Sequence, residues 1–216
     1  MALRNKFIVS VITLLVFCST GSAQEGHFRF GARTSFGLSQ VEGDNLRGFN
    51  HSSYEFALLG GYRFLDQSEF AVALNVEHLG SSRGGEDNPS NPGRYLASMD
   101  LDQMGLSLSY IRNINPDWDG TYKYRFMTGL KLNRILKSDV NVISGSVNDI
   151  YNIGEDDIRS QYISMHLGFG THLSKNFTLD LNYEHGIQSI LKDSEQNRFN
   201  KFLPFQLKLS LSYYLR

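Results

Sequence analysis

The end of the chain alternates strictly between apolar and polar side chains. From position 205 to 216 the sequence reads F-Q-L-K-L-S-L-S-Y-Y-L-R. Successive side chains of a β-strand point to opposite faces, so this segment predicts a strand with one apolar and one polar face. The apolar face carries Phe205, Leu207, Leu209, Leu211, Tyr213 and Leu215. Because the pattern recurs upstream, it constrains the fold more than any other feature.

Seven earlier segments show the same alternation, which makes eight predicted strands. These strands are residues 27–38, 54–64, 70–79, about 96–112, 121–136, 159–173, 177–187 and 205–216. The third segment is apolar enough to suit a helix as well, since short apolar runs are ambiguous. The fourth loses its alternation around 99–102, where a β-bulge or an extension beyond a membrane would explain the change.

Long and short connections alternate along the chain. The short ones are 65–69, 113–120 and 174–176, and the long ones are 40–53, 80–95, 137–158 and 188–203. With antiparallel neighbours, every long loop then lies at one end of the sheet. Short periplasmic turns and long extracellular loops are typical of outer-membrane barrels. The pattern therefore predicts an all-β fold, an eight-stranded antiparallel transmembrane β-barrel with that loop arrangement.

Alternation alone does not separate a membrane barrel from a soluble one, whose apolar face points inward. Here the apolar faces are long enough to cross a hydrocarbon layer at a tilt. Aromatic residues also occur near both ends of the predicted strands, as in the two interfacial girdles of membrane barrels. We therefore expect lipid outside, and a soluble periplasmic ligand-binding barrel is the less favoured alternative.

The first 23 residues predict a secretory signal peptide, followed by one barrel domain over residues 24–216. Arg4 and Lys6 precede an apolar run at 7–17, and small residues stand at 21–23. Cys18 also allows a lipoprotein, although the bulky residue before it argues against one. It is the only cysteine, so no disulfide or thiolate metal site is expected. The net charge of −1 gives no indication of nucleic-acid binding.

Three short segments share a pattern of aromatic, glycine and basic residues. They are F-R-F-G-A-R at 28–33, L-L-G-G-Y-R-F at 58–64 and the closing L-S-L-S-Y-Y-L-R at 209–216. In these segments the chain resembles the small outer-membrane barrels of Bacteroidetes-type bacteria, the PorT-like or outer membrane protein β-barrel domain group. The resemblance implies an outer-membrane barrel without a catalytic signature. It departs at Arg216, where many such barrels end on an aromatic residue.

The polar faces of the predicted strands carry charges of both signs. Eight strands close a barrel whose interior is just wide enough for its own side chains, and buried charges must pair or stay hydrated. We therefore predict an ion-pair and water network that fills the lumen, with a narrow pore, a proton path or a binding cavity as alternatives. The predicted network contains Arg29, Arg33, Glu55, Arg63, Glu77, Lys123, Arg125, Lys131, His166, Asp180, Glu184 and Lys208.

A catalytic reading rests on Ser164 and His166, which share one strand face, and on Glu184 of the neighbouring strand. A nucleophilic serine needs a base within hydrogen-bond reach. His78 and His185, near the predicted outer rim, are further candidates. The simpler interpretation makes them lumen fillers and interfacial residues, and no GxSxG or HExxH motif occurs. We therefore predict no enzyme, no catalytic residue and no cofactor.

The third predicted long loop is acidic, with Asp149, Glu155, Asp156 and Asp157 following Asp139. Carboxylate oxygens suit Ca²⁺ or divalent ions that bridge lipopolysaccharide. The spacing is not that of an EF-hand, so a solvated acidic loop is the favoured interpretation and no metal site is predicted.

The predicted function is that of a structural scaffold or surface-interaction protein of the bacterial outer membrane. Its expected partners are outer-membrane lipid, lipopolysaccharide, and the barrel-assembly machinery through the C-terminal strand. A small porin is the main alternative, and a lipid-modifying enzyme is less favoured.

Overall fold

The structure, a computed structural model, describes residues 28–43, 49–82, 95–116, 122–143, 155–192 and 201–215. Its strands are β1 (Phe28–Glu42), β2 (His51–Leu65), β3 (Ser68–Ser82), β4 (Tyr95–Pro116), β5 (Tyr122–Ile143), β6 (Gln161–His172), β7 (Phe177–Gly186) and β8 (Leu203–Leu215). A short 3-10 helix spans Glu155–Asp157. Each strand pairs antiparallel with its neighbour, and β8 pairs with β1 to close the barrel. The predicted eight-stranded antiparallel barrel is thus confirmed.

The apolar face of the barrel wall points outward. In β8, Leu209 is 54% exposed whereas Lys208 is buried at 3%. The other strands follow the same rule, with polar side chains buried at alternate positions and large apolar side chains exposed between them. A soluble barrel would have the opposite polarity. Closure also leaves no unpaired strand edge, which is what a hydrocarbon environment requires.

The longest strands are β4 and β5, of 22 residues each. They pair from Pro116↔Tyr122 to Tyr95↔Ile143, with register shifts between Leu96 and Ser98 and between Asp102 and Gln103. The second shift lies beside the irregularity predicted at 99–102. The predicted end of β5 at 136 is wrong, because residues 137–143 continue the ladder with β4. Asp139 therefore belongs to a strand and not to a loop.

Aromatic rings form a girdle at each end of the wall. The turn end is the end that carries the Asp66–Gln67 turn and residues 173–176, and the loop end is the opposite one. At the turn end, the ring pairs are Phe28–Tyr62, Phe64–Phe70, Phe70–Tyr110 and Phe177–Tyr213. At the loop end, they are Tyr54–His78, His185–Phe205 and Phe49–Phe205. Two such belts mark the interfaces of a membrane barrel.

Within the described ranges, no helix has the length and apolar character needed to cross a membrane.

Candidate functional site

Two lysines lie between three glutamates in the middle of the lumen. Lys208 Nζ donates to Glu55 Oε2 at 2.8 Å, Glu77 Oε1 at 2.5 Å and Glu184 Oε2 at 3.0 Å. Lys131 Nζ donates to Glu77 Oε2 at 2.5 Å and to Glu184 Oε2 at 3.0 Å. All five side chains are buried. Lys131 therefore connects β5 to β3 and β7, and Lys208 connects β8 to β2, β3 and β7.

Arg33 completes the charge balance of this group. Its Nε and Nη2 both donate to Glu55 Oε1, at 2.9 and 2.7 Å. Three cations then face three carboxylates, so the cluster as a whole is neutral, as a buried charge group must be. The central cluster is defined as Arg33, Glu55, Glu77, Lys131, Glu184 and Lys208.

The three glutamates of the central cluster also have the geometry of a metal site, since their oxygens lie within 4.8 Å of one another. The two lysine ammonium groups already occupy the space between them. A divalent cation there would bring like charges into contact with Lys131 and Lys208, so the cluster does not fit a metal.

A second group of ion pairs closes the lumen towards the turn end. Arg125 donates to both carboxylate oxygens of Asp180, and its Nη1 donates to the Tyr214 hydroxyl at 3.1 Å. Arg29 pairs with Glu69, and its guanidinium lies 4.3 Å from the centre of the Tyr214 ring. Tyr214 thus connects the two ion pairs across the barrel.

Apolar side chains fill the lumen towards the loop end. This apolar cluster consists of Val41, Leu79, Met99, Leu101, Ile158, Tyr162, Ile190, Leu191 and Phe202. It combines inward positions of the strands with residues outside them, and Ile158 and Leu191 form an isolated β-bridge. Because these side chains are buried against each other, this end of the lumen excludes water.

One hydrogen-bonded chain joins the apolar cluster to the central cluster. The Tyr162 hydroxyl donates to Gln103 Oε1 at 2.9 Å, and Gln103 Nε2 donates to Glu77 Oε2 at 2.7 Å.

A cavity of about 20 Å³ lies beside the central cluster, between Lys131, His166 and Lys208. That volume has room for about one water molecule.

Strand parity explains why these side chains meet. Every second residue of a strand points inward, so the polar side chains at alternate positions of each strand reach the lumen. The inward positions of β3 and β8 continue, two residues further along the strand, to Glu69 and Tyr214. The sequence analysis did not include these two residues in the network. Glu69 was assigned to a turn, and an aromatic residue such as Tyr214 was not expected on the polar face. Gln103 and Tyr162 were missed as well: Gln103 directly follows the irregular segment at 99–102, and Tyr162 is an aromatic residue on a face expected to be polar.

Two residues of the predicted network lie near the turn end of the lumen. Lys123 has inward parity but is exposed at the turn end, with its Nζ 5.4 Å from the centre of the Tyr124 ring. Arg63 is half-buried near the same end, opposite Glu69 in the ladder. His166 is buried beside the central cluster, and its Nε2 lies 2.9 Å from Ser109 Oγ.

The candidate catalytic residues do not form a nucleophile and base. Ser164 Oγ donates directly to Glu184 Oε1 at 2.7 Å and accepts from Asn133 at 2.8 Å. His166 instead contacts Ser109, so it does not serve Ser164 as a base. All of these side chains are buried in a lumen with space for about one water beside them. In this arrangement the polar groups of Ser164 and His166 hydrogen-bond to neighbouring side chains of the lumen.

The acidic residues occupy the 3-10 helix at Glu155–Asp157, and Asp149 lies outside the described residues. Lys192 donates through Nζ to the Asp156 carbonyl and through its backbone N–H to the Asp157 carbonyl. The contacts described here are with main-chain oxygens. They stabilise the path of the chain next to the apolar cluster.

Comparison with known proteins supports the architecture. The sequence model of one family, described as "Outer membrane protein beta-barrel domain", matches residues 9–213. A comparison with curated proteins finds no match.

Solved structures with a similar chain path include Ail, the attachment invasion locus protein of Yersinia pestis. Its identity is 12% with a TM-score of 0.47, covering 88% of this chain and 100% of Ail. Neisserial surface protein A has 14% identity and a TM-score of 0.45, covering 88% and 99%. CarO2 of Acinetobacter baumannii has 16% identity and a TM-score of 0.44, covering 88% and 100%. At these values, none of the three indicates a function for this chain.

Proposed function

The chain belongs to the outer membrane protein beta-barrel domain family, and we propose that it acts as a closed scaffold in the bacterial outer membrane. In this proposal the wall anchors the protein in lipid and the lumen carries no solute. The connections at the loop end face the exterior and make the specific contacts, because loops on a rigid frame are where binding function is usually found.

The main support for this proposal is that side chains fill the lumen. Three layers lie in series along the barrel: the apolar cluster, the central cluster, and the Arg125–Asp180 and Arg29–Glu69 pairs with Tyr214. A solute would have to separate salt bridges and an apolar contact at once. Removing one partner of a buried ion pair alone typically costs about 3–5 kcal/mol, so a filled lumen fits a scaffold better than a channel.

Planar-bilayer recording of the refolded protein tests the closed lumen. Folding is first verified by the heat-dependent shift in mobility that barrels show on SDS gels. We expect no discrete conductance steps from folded protein, while a larger porin in the same bilayer gives them. Stable steps that scale with protein concentration and salt would overturn the proposal in favour of the small porin.

The proposal includes a secretory signal peptide over residues 1–23, cleaved after Ala23. Export to the outer membrane requires such a segment, and the charged start, apolar run and small residues at 21–23 support it. Mass spectrometry of protein extracted from outer membranes should give a chain that begins at Gln24. A chain that retains residues 1–23 would contradict this part.

We also propose a PorT-like, Bacteroidetes-type barrel that is not an enzyme. The three sequence segments at 28–33, 58–64 and 209–216 support the subgroup.

The hydrogen bonds of Ser164 and His166 support a packing role for these residues and not a catalytic one. We expect the lipid composition of expressing cells to be the same for wild type, Ser164→Ala and His185→Ala. A modified lipid that disappears in either variant would make the protein an enzyme.

The expected partners are lipopolysaccharide around the outer leaflet and the barrel-assembly machinery, which would read β8. The outward apolar face of β8 and its aromatic end support the second contact. Exchanging Leu209 and Leu211 for serine should slow assembly in vivo, measured as accumulation of unfolded protein. Equal assembly rates would rule out recognition of this face.

A further inference from the structure

Two histidines and two aspartates meet at the loop end, where β2, β3 and β4 lie side by side. His51 Nε2 lies 2.7 Å from Asp100 Oδ1, and His78 Nε2 lies 3.8 Å from the same oxygen. The two imidazole rings have their centres 5.3 Å apart. Asp102 Oδ1 lies 2.7 Å from His78 Nδ1. This rim group is separate from the lumen clusters.

The Nδ1 atom of each imidazole ring faces a side-chain oxygen. His78 Nδ1 donates to Asp102, which leaves Nε2 with its lone pair directed towards Asp100. His51 Nδ1 lies 3.4 Å from Ser39 Oγ. In the metal-free protein Nε2 is hydrogen-bonded to Asp100 Oδ1 at 2.7 Å. An ion that binds Nε2 would displace that proton, and the ring would then carry its proton on Nδ1, towards Ser39. Metal-binding histidines usually donate their second ring N–H to a carboxylate or another oxygen, which fixes the tautomer and the ring orientation.

We propose that His51 Nε2, His78 Nε2 and Asp100 Oδ1 bind a divalent transition-metal ion of the Zn²⁺ type. One ligand atom from each of the three residues lies within 4.8 Å of the ligand atoms of the other two. Zinc takes nitrogen and oxygen ligands at about 2.0–2.2 Å in a tetrahedron, which places ligand atoms about 3.4 Å apart. Two of the observed separations, 2.7 and 3.8 Å, lie on either side of that value. Water takes the fourth position.

The backbone holds the three ligands in place before any ion arrives. His78 stands opposite Tyr54 and Asp102 in the ladders, and Asp100 stands opposite Gly80. A Cβ at Gly80 would lie 3.1 Å from the His51 ring, so the absence of a side chain lets that ring approach β3. Tyr54 stacks on His78 with ring centres 4.9 Å apart. Side-chain rearrangement alone would then bring the ligand atoms to tetrahedral separations.

The chemistry of the group favours a transition metal over Ca²⁺ or Mg²⁺. Two imidazole nitrogens suit zinc, copper or nickel, whereas calcium and magnesium take oxygen ligands. The side chains of His51, His78 and Asp100 are 12%, 22% and 35% exposed. An ion from solution can therefore reach the ligands, in contrast to the buried glutamates of the central cluster.

Isothermal titration of the folded, metal-free protein with ZnCl₂ in detergent micelles tests the site. We expect one Zn²⁺ per chain for wild type. His78→Ala and Asp100→Asn remove ligands and should abolish measurable binding. Asp102→Asn keeps all three ligands and removes only the group that orients His78, so affinity should fall by roughly 10–100-fold.

His185→Ala is the matched control. His185 is also a histidine at the loop end, with contacts to Tyr183 and Phe205, and it lies on β7 outside the rim group. This variant should bind Zn²⁺ as wild type does. The heat-dependent gel shift verifies that every variant is folded. No binding by wild type, or equal binding by His78→Ala and wild type, would overturn the site and leave the rim group as ion pairs alone. The same Ca²⁺ affinity as Zn²⁺ affinity would overturn its transition-metal character.

Discussion

Replacing Lys208 with methionine is the most direct test of the central cluster. The side chain is 4% exposed and donates to Glu55, Glu77 and Glu184. Methionine keeps the length of the side chain and removes its charge. Lys131 and Arg33 then face three carboxylates, which leaves one buried negative charge without a partner.

The magnitude follows from that uncompensated charge. Breaking a buried ion pair by removing one partner costs about 3–5 kcal/mol, and Lys208 has three carboxylate contacts, so we expect Lys208→Met to lower the free energy of unfolding by at least that amount. Lys123→Met is the matched control, because Lys123 is exposed at the turn end. Its effect should stay within about 0.5 kcal/mol.

A double variant separates charge balance from packing. Glu77→Gln with Lys208→Met leaves two carboxylates facing two cations, so neutrality returns. We expect the two substitutions together to cost about 0.5–3 kcal/mol less than the sum of their separate costs. Equilibrium urea unfolding in lipid vesicles, read as the folded fraction on unboiled SDS gels, measures five proteins: wild type, Lys208→Met, Lys123→Met, Glu77→Gln and the double variant. Strict additivity, or equal stability of Lys208→Met and Lys123→Met, would refute the reasoning.

Three further substitutions test other parts of the barrel in the same unfolding assay. Leu106→Arg places a charge on the lipid face and should cost about 2–4 kcal/mol in vesicles, whereas a loss below about 0.5 kcal/mol would contradict lipid contact at that position. Gly129→Ala should cost about 1–3 kcal/mol, because its Cβ would clash with the Leu108 carbonyl oxygen and lie 2.7 Å from the His166 ring. Gly60→Ala, whose nearest atom is 3.9 Å away, should cost nothing, and equal losses would contradict the packing argument. Tyr162→Phe loses a hydrogen bond inside the lumen and should cost about 0.5–1.5 kcal/mol, so a neutral result would remove its assigned role.

The strands were predictable because a membrane barrel repeats one simple rule. Lipid outside and charge inside impose alternation on every strand that crosses the bilayer. The inward orientation of Lys208 and Glu184 is predictable from the alternation within each strand alone, without knowing which strands lie beside it. The specific partner of each charge was not predictable in this way, because it depends on register and on the reach of a long side chain across two or more strands.

Prediction failed where the rule no longer applies. The segment 137–143 begins with three consecutive polar residues, so the alternation is interrupted at the predicted end of the strand, and the ladder with β4 shows that the strand continues. The apolar cluster was not predicted either. It joins Val41 and Leu79 to Ile158, Ile190 and Phe202, and contacts between such distant positions have no local sequence pattern. The rim group was not predicted from the sequence, because His51 lies in the connection predicted at 40–53.

The position of Lys208 on the last strand links charge balance to the order in which the chain is made. Glu55, Glu77 and Glu184 lie on β2, β3 and β7, so a chain that ends before β8 carries all three carboxylates but only two of the three balancing cations, Arg33 and Lys131. A partial sheet of β1–β7 has two open edges as well as an excess negative charge on its concave face, and neither is tolerated in hydrocarbon. The arrival of β8 removes both defects in one step, by pairing with β1 and by placing its ammonium group among the carboxylates. Insertion is therefore expected to be all-or-none, so that a chain without β8 does not insert.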